Sequence, residues 1–304
     1  MTALLKGAAT AAAPRLVRHF NAGNLWSLPE TSAAPSDLPG QLKALEDLGV
    51  EAIQHLFPAQ LPACNLAIVG MGRVSASGDA EQLARDHKAA GYIATTLHVG
   101  TGFESDAEID TLISEILEAS SRHDYALFVE THRATITQDM KRTLDMVERH
   151  PDVRFNADLS HWYTGQEIPY GDITAKFDAL TPVFERVRYM HGRIGTQCCA
   201  QVALTGADDS RIFVGHFREM WKRCAAGFLN TAQTGEILPF APELLPYSIK
   251  IGSTEHFMYF ARHLGTDPDA PEESDRWLQA QHLWHIAESA AKAAGLSCGN
   301  DCAR

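Results

Sequence analysis

Four residues with metal-binding side chains, Glu130, Asp158, His191 and Glu243, each stand just after a short apolar run. The runs, 126–129, 153–155, 187–190 and 237–240, read as β-strands. Three carboxylates and one imidazole make a hard, oxygen-rich donor set suited to a divalent cation. The four lie far apart along the chain, so they meet only if the fold gathers strand ends at one place. A barrel of eight parallel strands does this, because its site is built from the C-terminal strand ends and the loops that follow them.

The segments around these residues carry further chemistry. In Phe128-Val-Glu-Thr-His-Arg133, strand alternation puts Glu130 and His132 on one side. A polar pair closing an apolar strand has no core role; the plain alternative is a Glu130–Arg133 ion pair in a loop. In Asn156-Ala-Asp-Leu-Ser-His-Trp162, Asp158 and His161 can share one ion, or one can hold it while the other holds a substrate oxygen. Asp158 as a helix cap is disfavoured, because 162–170 reads as loop.

In Tyr189-Met-His-Gly-Arg193, His191 ends a strand and Arg193 offers a fixed cation for an oxyanion or phosphate. Glu243 lies between Pro242 and Pro246 on a stiff loop. His98, in Thr96-Leu-His-Val-Gly100, ends another strand and is a candidate substrate contact, with Trp26 and His55 at comparable points. Trp162 is either an apolar wall for a sugar ring or a packing residue at the rim. His87, His123, His150 and His282 fall on helix or turn segments and read as surface groups.

The elements that must position these groups alternate. Strand-like runs occur at 16–20, 52–56, 66–69 and 93–97, besides the four above. Helical periods occur at 41–48, 106–119, 136–149, 209–229 and 273–294. Ser105 and Thr135 read as N-caps, Gly91 and Gly295 as helix stops. Alternating strand and helix implies a parallel sheet. Eight repeats predict an α/β fold of the closed (β/α)8 TIM-barrel type rather than an open doubly wound sheet. The expectation is one domain over residues 1–304, with a barrel core at about 15–295 between N- and C-terminal extensions. The longest loop-like stretches, 27–39 and 265–273, separate no two self-sufficient patterns.

Composition narrows the function. The formal net charge of −12 repels phosphate backbones, so no nucleic-acid partner is expected. The six cysteines show no disulfide spacing, and Cys298 with Cys302 lacks the second pair a zinc site needs. No apolar run approaches the ~20 residues of a membrane span. The alanine-rich start lacks the long apolar centre of a signal peptide, and a cytoplasmic location is expected.

The Glu-Thr-His, Asp-x-x-His and Pro-Glu segments together resemble the xylose-isomerase-like superfamily of TIM-barrel sugar isomerases and epimerases. The resemblance runs from about His98 to Tyr247; before residue 90 it extends only to the strand–helix rhythm. It implies one divalent ion (manganese, magnesium, cobalt or zinc) held by Glu130, Asp158, His191 and Glu243, with a substrate-binding role for His161. The family's arginine after the metal histidine corresponds to Arg193, although one residue intervenes here.

It further implies a small-molecule carbohydrate substrate and a possible homo-oligomer. A metal on a sugar carbonyl and its neighbouring hydroxyl acidifies the carbon-bound hydrogen. Glu130 and Glu243 are then the expected acid–base pair, with His98, His132, His161, Arg193 and Trp162 around the substrate. Dehydratase and carbon-glycoside lyase chemistry lie close by. A metal hydrolase of the endonuclease IV type would need more histidines and a basic face, and a non-catalytic binding barrel would not need all four ligands.

Overall fold

The structure, a computed structural model, describes residues 3–7, 12–57, 64–265 and 270–299. Much of the alanine-rich start, and Cys302, lie outside the described residues. Eight parallel strands are laid down in chain order: β1 Arg15–Asn21, β2 Val50–Gln54, β3 Ala67–Val74, β4 Ala94–Val99, β5 Ala126–Glu130, β6 Phe155–Ala157, β7 Val187–Gly192 and β8 Ile237–Pro242. Each pairs with the next, and β1 pairs with β8 from Arg15↔Ile237 to Arg18↔Phe240. That last pairing closes the ring. All eight expected strands form; the open sheet is not adopted.

The outer faces of the strands pack against helices α1 Leu38–Asp47, α2 Asp79–Ala89, α3 Asp106–His123, α4 Met140–Arg149, α8 Ile212–Thr231 and α9 Arg276–Ala293. β5, β7 and β8 are buried along their whole length, as strands covered on both faces must be. A second apolar cluster fills the ring: Val17, Ala52, Val69, Ala94, Ala126, Phe128, Tyr189 and Ala241. Because strand side chains alternate, this inward column continues upward to Asn21, Gln54, Thr96, His98, Glu130, Asn156, Asp158, His191 and Glu243. The interior therefore turns from apolar to polar at the C-terminal ends of the strands.

Local chemistry explains where elements start and stop. Ser105 caps α3 in a full capping box with Glu108. Gly91 and Gly295 follow α2 and α9 at φ of 87° and 84°, a conformation that glycine adopts without strain. β2 ends at Gln54 because His55 turns left-handed at φ 65°.

Four expectations are corrected. α4 is capped by Asp139, whose side chain accepts from Arg142 N, not by Thr135; the Thr135 hydroxyl instead donates to His132 O in the preceding turn. Residues Ser160–Gly165 form a short helix, α5, where a loop was expected. It is too brief to show a period, and buried Trp162 and Tyr163 hold it in place. Two further helices, α6 Ile173–Ala179 and α7 Thr181–Phe184, precede β7. His87, His123, His150 and His282, expected on the surface, are all half-buried; His87 Nδ1 lies 2.7 Å from Thr95 Oγ1.

A hairpin, β9 Ser248–Ile251 with β10 Thr254–Phe257, follows β8. No helix among the described residues is long and apolar enough to cross a membrane. Cys64, Cys198, Cys199 and Cys224 are free thiols.

Candidate metal centre

The ring brings the four dispersed candidate ligands together. One ligand atom from each of Glu130, Asp158, His191 and Glu243 lies within 4.8 Å of every other, and all four residues are buried. Glu130 ends β5, Asp158 follows β6, His191 lies near the end of β7 and Glu243 follows β8. Gly192 keeps the backbone slim beside His191, because a Cβ there would meet the Phe240 ring at 2.3 Å.

His191 Nδ1 is 3.5 Å from both Glu130 Oε2 and Glu243 Oε2. Such separations suit donors that each approach one ion to ~2.0–2.2 Å from different corners of a coordination shell. Arg193 closes the group from the rim. Its Nη2 pairs with Asp158 Oδ2, lies 3.4 Å from Glu243 Oε2, and its Nε donates to Ser160 Oγ at 3.0 Å. Three carboxylates against one guanidinium leave a buried negative excess that a divalent cation neutralises. The donor set fits such an ion.

The electrostatics agree. Burial alone would lower the His191 imidazole, but Glu243 and Glu130 overcome it and push it up to about 9. Burial would raise Glu130, yet His191 and His98 hold it well below the carboxylate range. Burial would raise Asp158 too, and Arg193 with His161 brings it to about 2. At Glu243 burial prevails over His191 and Arg193, and the carboxyl is shifted upward. The two glutamates therefore differ: one carboxyl is shifted down, the other up.

The histidines at the mouth form a row. His98 and His132 have ring centroids 4.2 Å apart, His132 and His161 3.9 Å. His98 Nε2 lies 3.4 Å from Glu130 Oε1. Burial lowers His132 to about 4 and His161 well below the usual imidazole range, so both rings are neutral. Asn156 Oδ1, His161 Nδ1 and Arg193 Nη1 are buried polar atoms without a protein hydrogen-bond partner. Groups left so in a polar site suit a polar ligand or ordered water.

Glu130 makes no ion pair with Arg133; its partners are His98, His191 and the Asn156 amide, at 3.0 Å. Trp162 is 1% exposed, with its indole donating to Thr137 O at 2.7 Å, so it offers no free face to a sugar. Trp162→Ala is expected to cost about 3–5 kcal/mol through the cavity it leaves, read as a lower denaturation midpoint.

Three polar residues of the site stand outside the set that the sequence predicts: Asn21, Gln54 and Asn156. Asn21 Nδ2 donates to Glu243 Oε1 at 2.9 Å, and Gln54 Oε1 faces His191 Nε2 at 2.7 Å. Each is a polar residue at or near the end of a strand, the same signal that marks Glu130. Phe260 stands outside that set as well; it lies beyond the hairpin with Arg193 4.8 Å and Arg133 5.6 Å from its ring centre.

Fold and site together define a closed (β/α)8 TIM barrel with a buried carboxylate–imidazole cluster that could hold a metal ion. A xylose isomerase-like TIM barrel protein from Mycobacterium smegmatis, solved in complex with magnesium, aligns over 92% of this chain and 97% of its own, at 14% identity and a TM-score of 0.50. Mannonate dehydratase from Streptococcus suis serotype 2 aligns over 96% and 98%, at 10% identity and a TM-score of 0.48. Endonuclease IV from Thermus thermophilus aligns over 77% and 94%, at 17% identity and a TM-score of 0.41. No family model and no curated protein matches the chain.

Proposed function

We propose that this chain is a divalent-metal-dependent enzyme that moves protons on the carbon skeleton of a small keto-sugar, as an isomerase or epimerase working through an enediolate. The observation that carries the reading is the convergence of Glu130, Asp158, His191 and Glu243 at the C-terminal end of a closed barrel. These four would hold the ion, with manganese, magnesium, cobalt and zinc all compatible with the donor set. When bound, it supplies charge stabilisation for a substrate oxyanion.

The remaining roles belong to side chains. Glu130, held ionised, is the group to take a proton from carbon, and Glu243, shifted upward, the group to return one. His98, His132 and His161 line the approach as hydrogen-bonding groups for substrate hydroxyls. Arg193 fixes Asp158 and keeps one nitrogen for the substrate side. The upward shift of Glu243 also suits elimination, in which an acid must protonate a departing oxygen; a dehydratase or lyase on a keto-sugar or keto-inositol is the second reading.

The test is solvent deuterium exchange into ketoses, 3-keto sugars and keto-inositols, with and without manganese. Metal-dependent exchange at carbon is expected, and none with any of them would reject carbon-acid chemistry. Metal analysis should find one ion per chain; two or three zinc ions would instead favour a hydrolase. Asp158→Ala should strip that ion. Full occupancy in the variant would remove Asp158 from the ligand set.

A further inference from the structure

A metal site needs its ligands aimed as well as assembled. Gln54 ends β2 on the inward face and is fully buried. Its Nε2 donates to Thr96 Oγ1 at 2.7 Å and faces Gly70 O at 3.4 Å. A backbone carbonyl only accepts, so the nitrogen of the amide must lie on that side. The amide oxygen is then turned the other way, 2.7 Å from His191 Nε2. An amide oxygen also only accepts, so His191 carries its hydrogen on Nε2. In the neutral ring the lone pair is left on Nδ1, the atom that faces Glu130 Oε2 and Glu243 Oε2.

We propose that Gln54 is a positioning residue: it selects the Nε2–H form of His191 and aims Nδ1 at the cation. This rests on the metal reading above and adds to it the residue that orients the ligand. Asn156 fits the same form, since its amide nitrogen lies 3.1 Å from Nδ1 and 3.0 Å from Glu130 Oε2. An amide suits the position better than an acid. It fixes the ring without adding a fourth buried negative charge to the three carboxylates, and it cannot take the imidazole proton for itself.

The test compares wild type, Gln54→Leu and Gln54→Glu. Manganese affinity is measured by electron paramagnetic resonance titration. The ligating nitrogen is identified from 113Cd–15N coupling in histidine-labelled, cadmium-loaded protein. Wild type should couple through Nδ1 of His191. Gln54→Leu should bind manganese about 10–100-fold more weakly and lose or divide that coupling. Gln54→Glu, which keeps an acceptor, should restore it.

If Gln54→Leu fails to fold, Thr96→Val, which frees the amide to rotate, should show the same loss in smaller degree. Wild-type affinity with undivided Nδ1 coupling in the folded variant overturns the role of Gln54 and leaves the metal reading standing. Absence of manganese and cadmium binding in wild type overturns the metal reading itself.

Discussion

Replacing Glu130 by glutamine is expected to abolish turnover, by about 10⁴-fold, while moving the thermal midpoint by no more than about 2–4 °C. The two effects separate because of what the side chain touches. Glu130 is buried, with Oε1 toward His98 at 3.4 Å and Oε2 toward the Asn156 amide at 3.0 Å and His191 at 3.5 Å. Glutamine has the same shape and keeps an oxygen for one of these partners. What it loses is a negative charge, and with it a ligand and the proposed proton acceptor.

The stability change is small because two terms oppose. Attraction to His191 and His98 is lost, but so is the desolvation penalty of a buried carboxylate, and the two imidazoles can shed the protons that Glu130 favours, so no uncompensated charge stays buried. Measuring kcat beside a thermal melt checks both halves. A variant that stays active but melts far below wild type would make Glu130 a structural residue.

How much of this was legible in the residues depends on the range of the signal. Strand positions were readable because each apolar run is short and bounded, and the four ligands because a charged group directly after such a run has no packing role. Strand alternation then fixes that Ala126, Phe128 and Glu130 share one side, and the structure puts that side inward. Asn21, Gln54 and Asn156 obey the same parity, but an amide at a strand end carries a weaker chemical signal than an acid or imidazole.

Other features depended on tertiary contacts. Ser160–Gly165 is helical although it spans less than two turns, because Trp162 and Tyr163 are anchored in the core. Arg193 bonding to Asp158 depends on β6 and β7 lying side by side, and the two residues are far apart in sequence. Phe260 reaches Arg193 only through the fold-back of the hairpin after β8.

Affinity for the cation is expected to fall with pH below about 9, approaching tenfold for each unit, or roughly 150-fold between pH 9 and 6.5. The sign follows from His191. In the ion-free protein Glu243 and Glu130 push its imidazole up to about 9, so below that pH Nδ1 and Nε2 both carry hydrogen. Ligation needs a lone pair on Nδ1, and the ion must displace one proton to get it. Glu130 and Asp158 do not add to the slope, because both are held ionised across this range.

The same linkage reads out in stability. Without the ion, the raised pKa of His191 stabilises the fold fully below about 6.5 and loses that contribution as pH climbs through 9. With the ion present the ring is held neutral, and tighter binding at higher pH stabilises the fold instead. The thermal shift produced by adding manganese should therefore grow steadily from pH 6.5 to 9. Calorimetric titration in buffers of different ionisation enthalpy should count one proton released per ion at pH 7.5. Affinity that stays flat over that interval, with no proton released, would mean that the imidazole is not a ligand and that the cluster binds through its carboxylates alone.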